Sequence, residues 1–446
     1  MRSRTLLPSV SMPTKTETQS KTRTLFHEEQ QFIAPGLQTI ALLSELAIER
    51  GTGATLTDLD GKTYLDLNAG VSVASLGHAH PRYVAALAKQ LEAVSVGSFA
   101  SRPRAELVKL IADLAPEGLT RTQFFSGGAE AVEAGIRLAR SYTKRSDIIG
   151  FTGGFHGKTA GVLPLSDVDW KTLIGPLPAG HHLAPYADPT KFDGSEKECR
   201  EGSIKELRRV IEQESKGRPA AVVIEPIQGT AGNIIPPAGF LRDVLEVAHE
   251  YGALLIADEM ITGFGRTGLV FGCNHDGVVP DIMTLGKGMA SGFPVSALVS
   301  RDDIMTARPF SLPSASSSSY GGNPLAAAAA LITIKTILSD KLVENSAAVG
   351  AILQGGLHAL ATRHRSIANV RGKGLLIGFD LVTDQKTKAF LPKEKCIEFF
   401  KECLKEGLIM MSYTPRVRIH PPLILSATQA NSALTIIDRV MDRCEK

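Results

Sequence analysis

The sequence predicts an α/β protein in which a mainly parallel sheet, sandwiched by helices, forms a large domain and a smaller α+β unit follows it. Three observations predict this. Between about residues 105 and 340, short apolar runs alternate with amphipathic stretches of helix length. The runs are continuous rather than alternating, so the strands are covered on both faces, as in a parallel sheet. After about residue 340 the pattern changes to helix, "GLLIGFDLV", helix, and "RVRIHPPLIL". A chain of 446 residues also has room for two or three domains at roughly 150 residues each.

The elements follow in chain order. Residues 1–25 are rich in Ser, Thr and basic residues, with Glu17 the only acid. This reads as a disordered leader, taken to residue 30, with an organelle transit peptide as the alternative. Pro8 and Pro13 interrupt any amphipathic helix there. In "TGATLTDLDGKTYLDL", residues 52–67, Asp60-Gly61 between alternating segments signals a hairpin. The expected buried strands are Thr122–Phe125, Ile148–Phe151, Ala220–Ile224, Ala253–Ala257, Ile282–Leu285 and Val295–Val299. Between them lie expected helices at Glu130–Tyr142, Ser203–Glu214 and Leu241–Tyr251, the last closed by Gly252 at its C-terminus. "SASSSSYGGNPLAAAAAL", residues 314–331, reads as a flexible polar loop running into an alanine-rich helix. There is no internal repeat.

Composition narrows the function classes. With 49 basic against 46 acidic residues the net charge is only +3, so no acidic polymer is implied as partner. The five cysteines are scattered without a C-x-x-C pair, which points to a reducing compartment, and a cytoplasmic location is expected. The mitochondrial matrix is the alternative if the leader is a transit peptide. No apolar run approaches the roughly 18–20 residues of a membrane helix.

Two motifs compete in "ALLIADEMITGFGRTG", residues 253–268. Gly263 to Gly268 fits the G-x-G-x-x-G of a dinucleotide site, but Asp258 and Glu259 would then stand beside the incoming phosphates, where Coulomb repulsion opposes them. "GGFHGKT", residues 153–159, resembles a P-loop, yet Thr152 occupies the required first glycine, and Gly161 and Pro164 stop the helix that should follow. A third reading pairs Asp258, closing one buried strand, with Lys287 in a Gly-flanked loop after the next. If the strands are parallel neighbours, both side chains emerge at the carboxyl edge, where α/β ligands bind. That pair suits pyridoxal phosphate: the lysine forms a Schiff base with the aldehyde, and the carboxylate keeps the pyridine nitrogen protonated. A strand-end ion pair is the plainer alternative.

With these residues in place, the chain from about 30 to 440 resembles the class III (ornithine/4-aminobutyrate-type) aminotransferases, of the fold-type I pyridoxal-phosphate enzymes. The resemblance rests, in order, on "SGGAEAVEAGIRLAR", "GGFHGKT", "EPIQG", "LLIADEMITGFGRTG", "LGKGMASGFPVSA", "SSYGGNPLA" and "RVRIHPPL". It implies a small domain drawn from both chain ends, residues 31–75 and 341–446, around a large cofactor domain, residues 76–340.

The resemblance also implies roles. Gly128 and Ala129 become backbone donors to the cofactor phosphate, consistent with the anion affinity of a helix start. Phe155 matches the aromatic stacked on the ring, with His156 beside it, and Glu225 the acid supporting the pocket. Lys287 and Asp258 are the catalytic pair. Ser319 stands at a threonine position whose hydroxyl reaches the phosphate of the partner subunit in a homodimer. Arg418 matches the arginine that grips an α-carboxylate. Lys158 and Val71 are expected with it among the substrate contacts. Gly263 to Gly268 becomes a turn, and His78 and His80 in "GHAHP" mark a helix entry, with no metal expected.

Three departures bear on substrate. Thr230 stands where 4-aminobutyrate and ornithine enzymes carry a glutamate that covers the arginine. Lys158 replaces the arginine of 4-aminobutyrate enzymes, and Ile261 replaces a glutamine near the cofactor's 3′ oxygen. The expected reaction is ping-pong transfer of an amino group between a small-molecule amino donor and an oxo acceptor. A racemase or decarboxylase of the same fold is the alternative, and a P-loop NTPase or non-catalytic binding protein is the alternative of another class.

Overall fold

A computed structural model describes residues 20–446. The leader reading for residues 1–19 lies outside the described residues. Its continuation to residue 30 is corrected: Lys21–Glu29 is a helix capped by Ser20. Tertiary contact overrides local polarity there, since Phe26 and Thr22 are buried and Asp60 accepts the Lys21 N–H at 2.8 Å.

The centre of the fold is a seven-stranded sheet in the order Arg121–Phe125, Ser296–Ser300, Ile282–Leu285, Leu254–Asp258, Pro219–Ile224, Asp147–Phe151, His181–Ala184. Successive side chains along its strands go to opposite faces. Ile256 and Val223 enter one apolar cluster with Ala131 and Ile136 of the helix Gly128–Thr143. Leu255 and Val222 enter the other, with Leu207 of the helix Glu196–Gln213 and Val244 of Phe240–Glu250. Both faces are thus covered, which is why the strands read as continuous apolar runs.

Two features depart from the expected sheet. Ser296–Ser300 runs antiparallel to both neighbours. Between Leu285 and Ser296 the chain has room only for the short turn Lys287–Ala290, and a parallel return needs a crossover of a dozen or more residues. The edge strand His181–Ala184, with two histidines in four residues, has no apolar run to announce it. The helix expected from Ser203 begins earlier, at Glu196. Its polar first turn is fixed by a capping box in which Ser195 Oγ accepts from Glu198 N and the Glu198 carboxylate accepts from Ser195 N.

The two chain ends meet in a second sheet. Thr55–Asp58 and Thr63–Asp66 form the hairpin around Gly61, and the C-terminal strand Leu408–Ile409 pairs in parallel with Thr63–Asp66. Beside it Ile367–Lys373, Leu376–Leu381 and Arg416–Ile419 form an antiparallel three-stranded sheet packed by the helix Leu342–Arg363, against which the helix Ala427–Cys444 lies. Among the described residues no helix is long and apolar enough to cross a membrane.

Candidate active site

Leu254–Asp258 and Ile282–Leu285 are parallel neighbours, with Asp258 opposite Thr284. Asp258 and the loop carrying Lys287 therefore leave the sheet at the same carboxyl edge. Lys287 has a left-handed backbone, φ +43°, costly for a residue with a Cβ and characteristic of sites where geometry is imposed by function. A Cβ on Gly286 would lie 2.6 Å from Met260 Sδ, and one on Gly288 would lie 2.5 Å from Ser75 Oγ. The glycines flanking Lys287 are there for close approach.

Asp258 is fully buried and fully engaged. Its Oδ2 lies 2.7 Å from His156 Nδ1, and its Oδ1 accepts from Met260 N at 3.1 Å and Thr284 Oγ1 at 3.2 Å. Burial opposes charge on both members of the pair. The contact outweighs it, holding the Asp258 carboxyl below its usual range and His156 above its own. Glu259, the next residue, faces the other way. Its oxygens accept from Gly272 N and Cys273 N, both at 2.7 Å, and from the Thr262 hydroxyl. Of the two acids, only Asp258 faces the cavity.

That cavity, of about 300 Å³, brings together Lys287, Asp258, His156, Phe155, Gly128 and Ala129. Gly128 and Ala129 open the helix Gly128–Thr143, where the first N–H groups have no carbonyl within the helix to bond. The donor set fits pyridoxal phosphate: an amine for the aldehyde, a buried carboxylate for the ring nitrogen, an aromatic side chain for the ring and helix N–H groups for the phosphate.

Other expected site residues lie outside that lining. Glu225 sits behind the cavity wall, where its oxygens accept from Phe155 N at 2.9 Å and Gly229 N at 3.0 Å. It orients the loop that carries Phe155. Ile261 belongs to a small apolar cluster with Ile227 and Leu376, because the side chain after Met260 points away from the cavity. Val71, at φ +64°, packs beside Tyr64, Met411 and Tyr413, and Val73 lines the cavity instead. Lys158 and Ser319 are exposed on loops outside it.

Arg418 lies on Arg416–Ile419, and among the described residues no carboxylate pairs with it. Burial lowers its guanidinium from the ordinary value, and the Tyr413 phenol beside it opposes that shift. His420 follows two residues on. Burial, with the positive charges of Arg418, Arg266 and Lys287 nearby, holds its imidazole well below the usual histidine value. Arg418 itself is not among the residues that line the cavity.

Sequence reasoning missed Met260, His420 and Arg266. Met260 lines the cavity, and its place two residues after Asp258, in the turn that leaves the strand end, is the only signal the sequence held for it. His420 gave no signal beyond being a lone histidine. Arg266, 2% exposed, donates to the Leu375 and Pro421 carbonyls, while burial lowers it to about 9.

Known proteins resemble this arrangement throughout its length. The family model described as aminotransferase class III matches residues 40–441. The acetylornithine aminotransferase of Methanothermobacter thermautotrophicus is 33% identical over 400 residues, covering 89% of this chain and 94% of that protein. The 5-aminovalerate aminotransferase DavT of Pseudomonas aeruginosa is 31% identical, covering 95% and 99%. Among solved structures, an amine transaminase from an uncultivated Pseudomonas species in its PLP-bound form superposes with a TM-score of 0.86 at 30% identity, covering 93% and 99%.

Proposed function

The chain belongs to the class III aminotransferases and is a pyridoxal-phosphate-dependent enzyme that transfers amino groups; on that premise we propose that Lys287 carries the cofactor and moves the proton in each of two half-reactions. The observation that carries this reading is the meeting of Lys287 and Asp258 at one carboxyl edge, in a cavity that also holds a helix start.

When bound, the cofactor supplies a ring that draws electrons from the substrate carbon. Asp258, kept ionised by His156, holds a proton at the ring nitrogen. Gly128 and Ala129 donate their N–H groups to the phosphate, aided by the helix dipole. The Lys287 amine would hold the cofactor's aldehyde and, when free, would be the base that moves the proton between the substrate's Cα and the cofactor's C4′. Overall, the donor's amino group would be exchanged for an oxygen supplied by water. An oxo acceptor then takes that nitrogen by the reverse steps. Arg418, large, planar and without an acidic partner among the described residues, is suited to grip the α-carboxylate of one of the two substrates. Thr230, Lys158 and Ile261 at the three positions named above argue against 4-aminobutyrate or ornithine as that substrate.

The enzyme acts as a homodimer in this reading. Support comes from the large apolar side chains that one chain leaves in solvent, including Phe99 at 87%, Leu173 at 84% and Tyr320 at 66% exposure. Tyr320 adjoins Ser319, whose hydroxyl serves the phosphate of the partner subunit.

The test is transaminase turnover of cofactor-loaded wild type and Lys287→Ala with a panel of amino donors against pyruvate and 2-oxoglutarate. Loss of proton transfer should cost roughly 10²–10⁴ in kcat. Full turnover by Lys287→Ala would refute the assignment.

A further inference from the structure

A second cavity, of about 480 Å³, lies between the large domain and the C-terminal unit and shares no lining residue with the catalytic one. Pro226, Ile227 and Ile235 line it from the large domain, and Val370, Arg371 and Lys373 from the strand Ile367–Lys373. Its apolar wall continues into the cluster of Ile227, Ile261 and Leu376, on which Ile235 packs.

Most of its polar groups are engaged. Arg371 donates to the Gly232 carbonyl at 2.7 and 3.0 Å and to the Asn369 carbonyl at 2.7 Å, and pairs with the Asp380 carboxylate at 2.8 Å. Asp276 accepts from Gly239 N at 3.0 Å and Leu241 N at 3.1 Å. Lys373, half-buried, has no hydrogen-bond or ion-pair partner for its amine among the described residues. His275 meets Thr267 Oγ1 through Nε2 at 3.0 Å, and its Nδ1 has no partner among them either. The two lie at one end of the cavity, because the residue after Lys373 touches Thr267: a Cβ on Gly374 would lie 2.5 Å from the Thr267 carbonyl carbon. Glu196 is the other free charge on the lining, but it is exposed at the start of the helix Glu196–Gln213, where water screens it.

Apolar walls with one unpaired cation and a free imidazole nitrogen at the same end suit a ligand with an apolar body and a single anionic head. We propose that this cavity is an effector site for a small aliphatic carboxylate, its head on Lys373 and His275 and its alkyl chain on Ile227, Ile235 and Val370. The site touches the supports of the catalytic cavity without entering it. Pro226 and Ile227 follow Glu225, whose carboxylate holds Phe155 N, and Gly272, also on the lining, donates its N–H at 2.7 Å to Glu259, the neighbour of Asp258. A ligand here ties the C-terminal unit to those supports, and motion between the two slows with it.

The probe is 3-methylbutyrate, which carries neither an amino nor an oxo group and so cannot react. Its binding to the cofactor-loaded enzyme is measured by equilibrium dialysis, in wild type and in Arg418→Ala, which removes the cation that the proposed substrate site offers a carboxylate. Saturable binding at millimolar concentration is expected in both. Lys373→Met should weaken it about tenfold by removing the charge-assisted hydrogen bond, while Lys373→Arg retains it. Ile235→Trp, which fills the cavity, should abolish it. With both substrates saturating, 3-methylbutyrate should lower the kcat of wild type about twofold and leave that of Lys373→Met unchanged. Absence of binding, binding lost in Arg418→Ala, or binding of undiminished strength in Lys373→Met overturns the site. Binding that meets these criteria without any effect on wild-type turnover, or with an equal effect in Lys373→Met, overturns the effector role.

Discussion

Asp258 and Glu259 are adjacent, buried and acidic, yet they leave the strand on opposite sides, and this separates their chemistry. Glu259 spends its oxygens on the backbone of residues 272–273, clamping the loop, whereas Asp258 meets His156 and the cavity. The pair has a consequence in pH. The Asp258 carboxyl is depressed in the folded protein, so its stabilisation is complete above about pH 4 and lost as pH falls through the folded value. His156 is raised, so its stabilisation is complete below about pH 6.5 and lost as pH rises through its folded value. Their joint contribution is therefore greatest between about pH 4 and 6.5. His156→Asn should destabilise the enzyme by about 3 kcal/mol in that window, and denaturant unfolding should show the gap narrowing at alkaline pH. A gap that widens with pH would contradict the charged pair. At this scale Asp258 and Lys287 were legible because strand ends and loop glycines leave a pattern in sequence. That Glu225 supports the cavity wall from behind, through Phe155 N, and that Ile261 turns into an apolar cluster depends on side-chain direction, which leaves no pattern in sequence.

The glycines of "GFGRTG" have their explanation between elements. Gly268 and Gly374 are left-handed, at φ +83° and +52°, and they meet the helix Leu342–Arg363 at Ala347 and Gly350 respectively. A Cβ on Gly350 would lie 2.1 Å from Gly374 O, and one on Gly374 would lie 2.4 Å from Gly268 N. Backbone meets backbone there, so nothing can yield. Gly350→Ala should cost about 2–3 kcal/mol. Gly355→Ala, in the same helix with open space around it, should instead stabilise by about 0.5–1 kcal/mol. Denaturant midpoints measure both; equal effects of one sign would contradict the close approach. Six of the seven central strands were legible as apolar runs, since burial on both faces leaves that mark. The antiparallel sense of Ser296–Ser300 depends on connection length, and the edge strand His181–Ala184 is too polar and short to stand out.

Across the whole molecule, sequence order and spatial order diverge. Strand Leu408–Ile409 completes a sheet begun by residues 48–66, so the ends of the chain close around the domain between them. Composition and periodicity could mark a separate C-terminal unit, but the pairing of distant strands leaves no local trace, and only the ordered set of motifs implied it. The result is a cavity at the carboxyl edge of the large sheet that brings Lys287 and Asp258 together with the start of the helix Gly128–Thr143. The central claim is that Lys287 is the residue joined to the cofactor. Borohydride reduction of the loaded enzyme, followed by peptide mapping, tests it most directly. The account predicts a stable cofactor adduct on the peptide containing Lys287 and none in Lys287→Ala; an adduct on a different lysine, or none in the wild type, would contradict it.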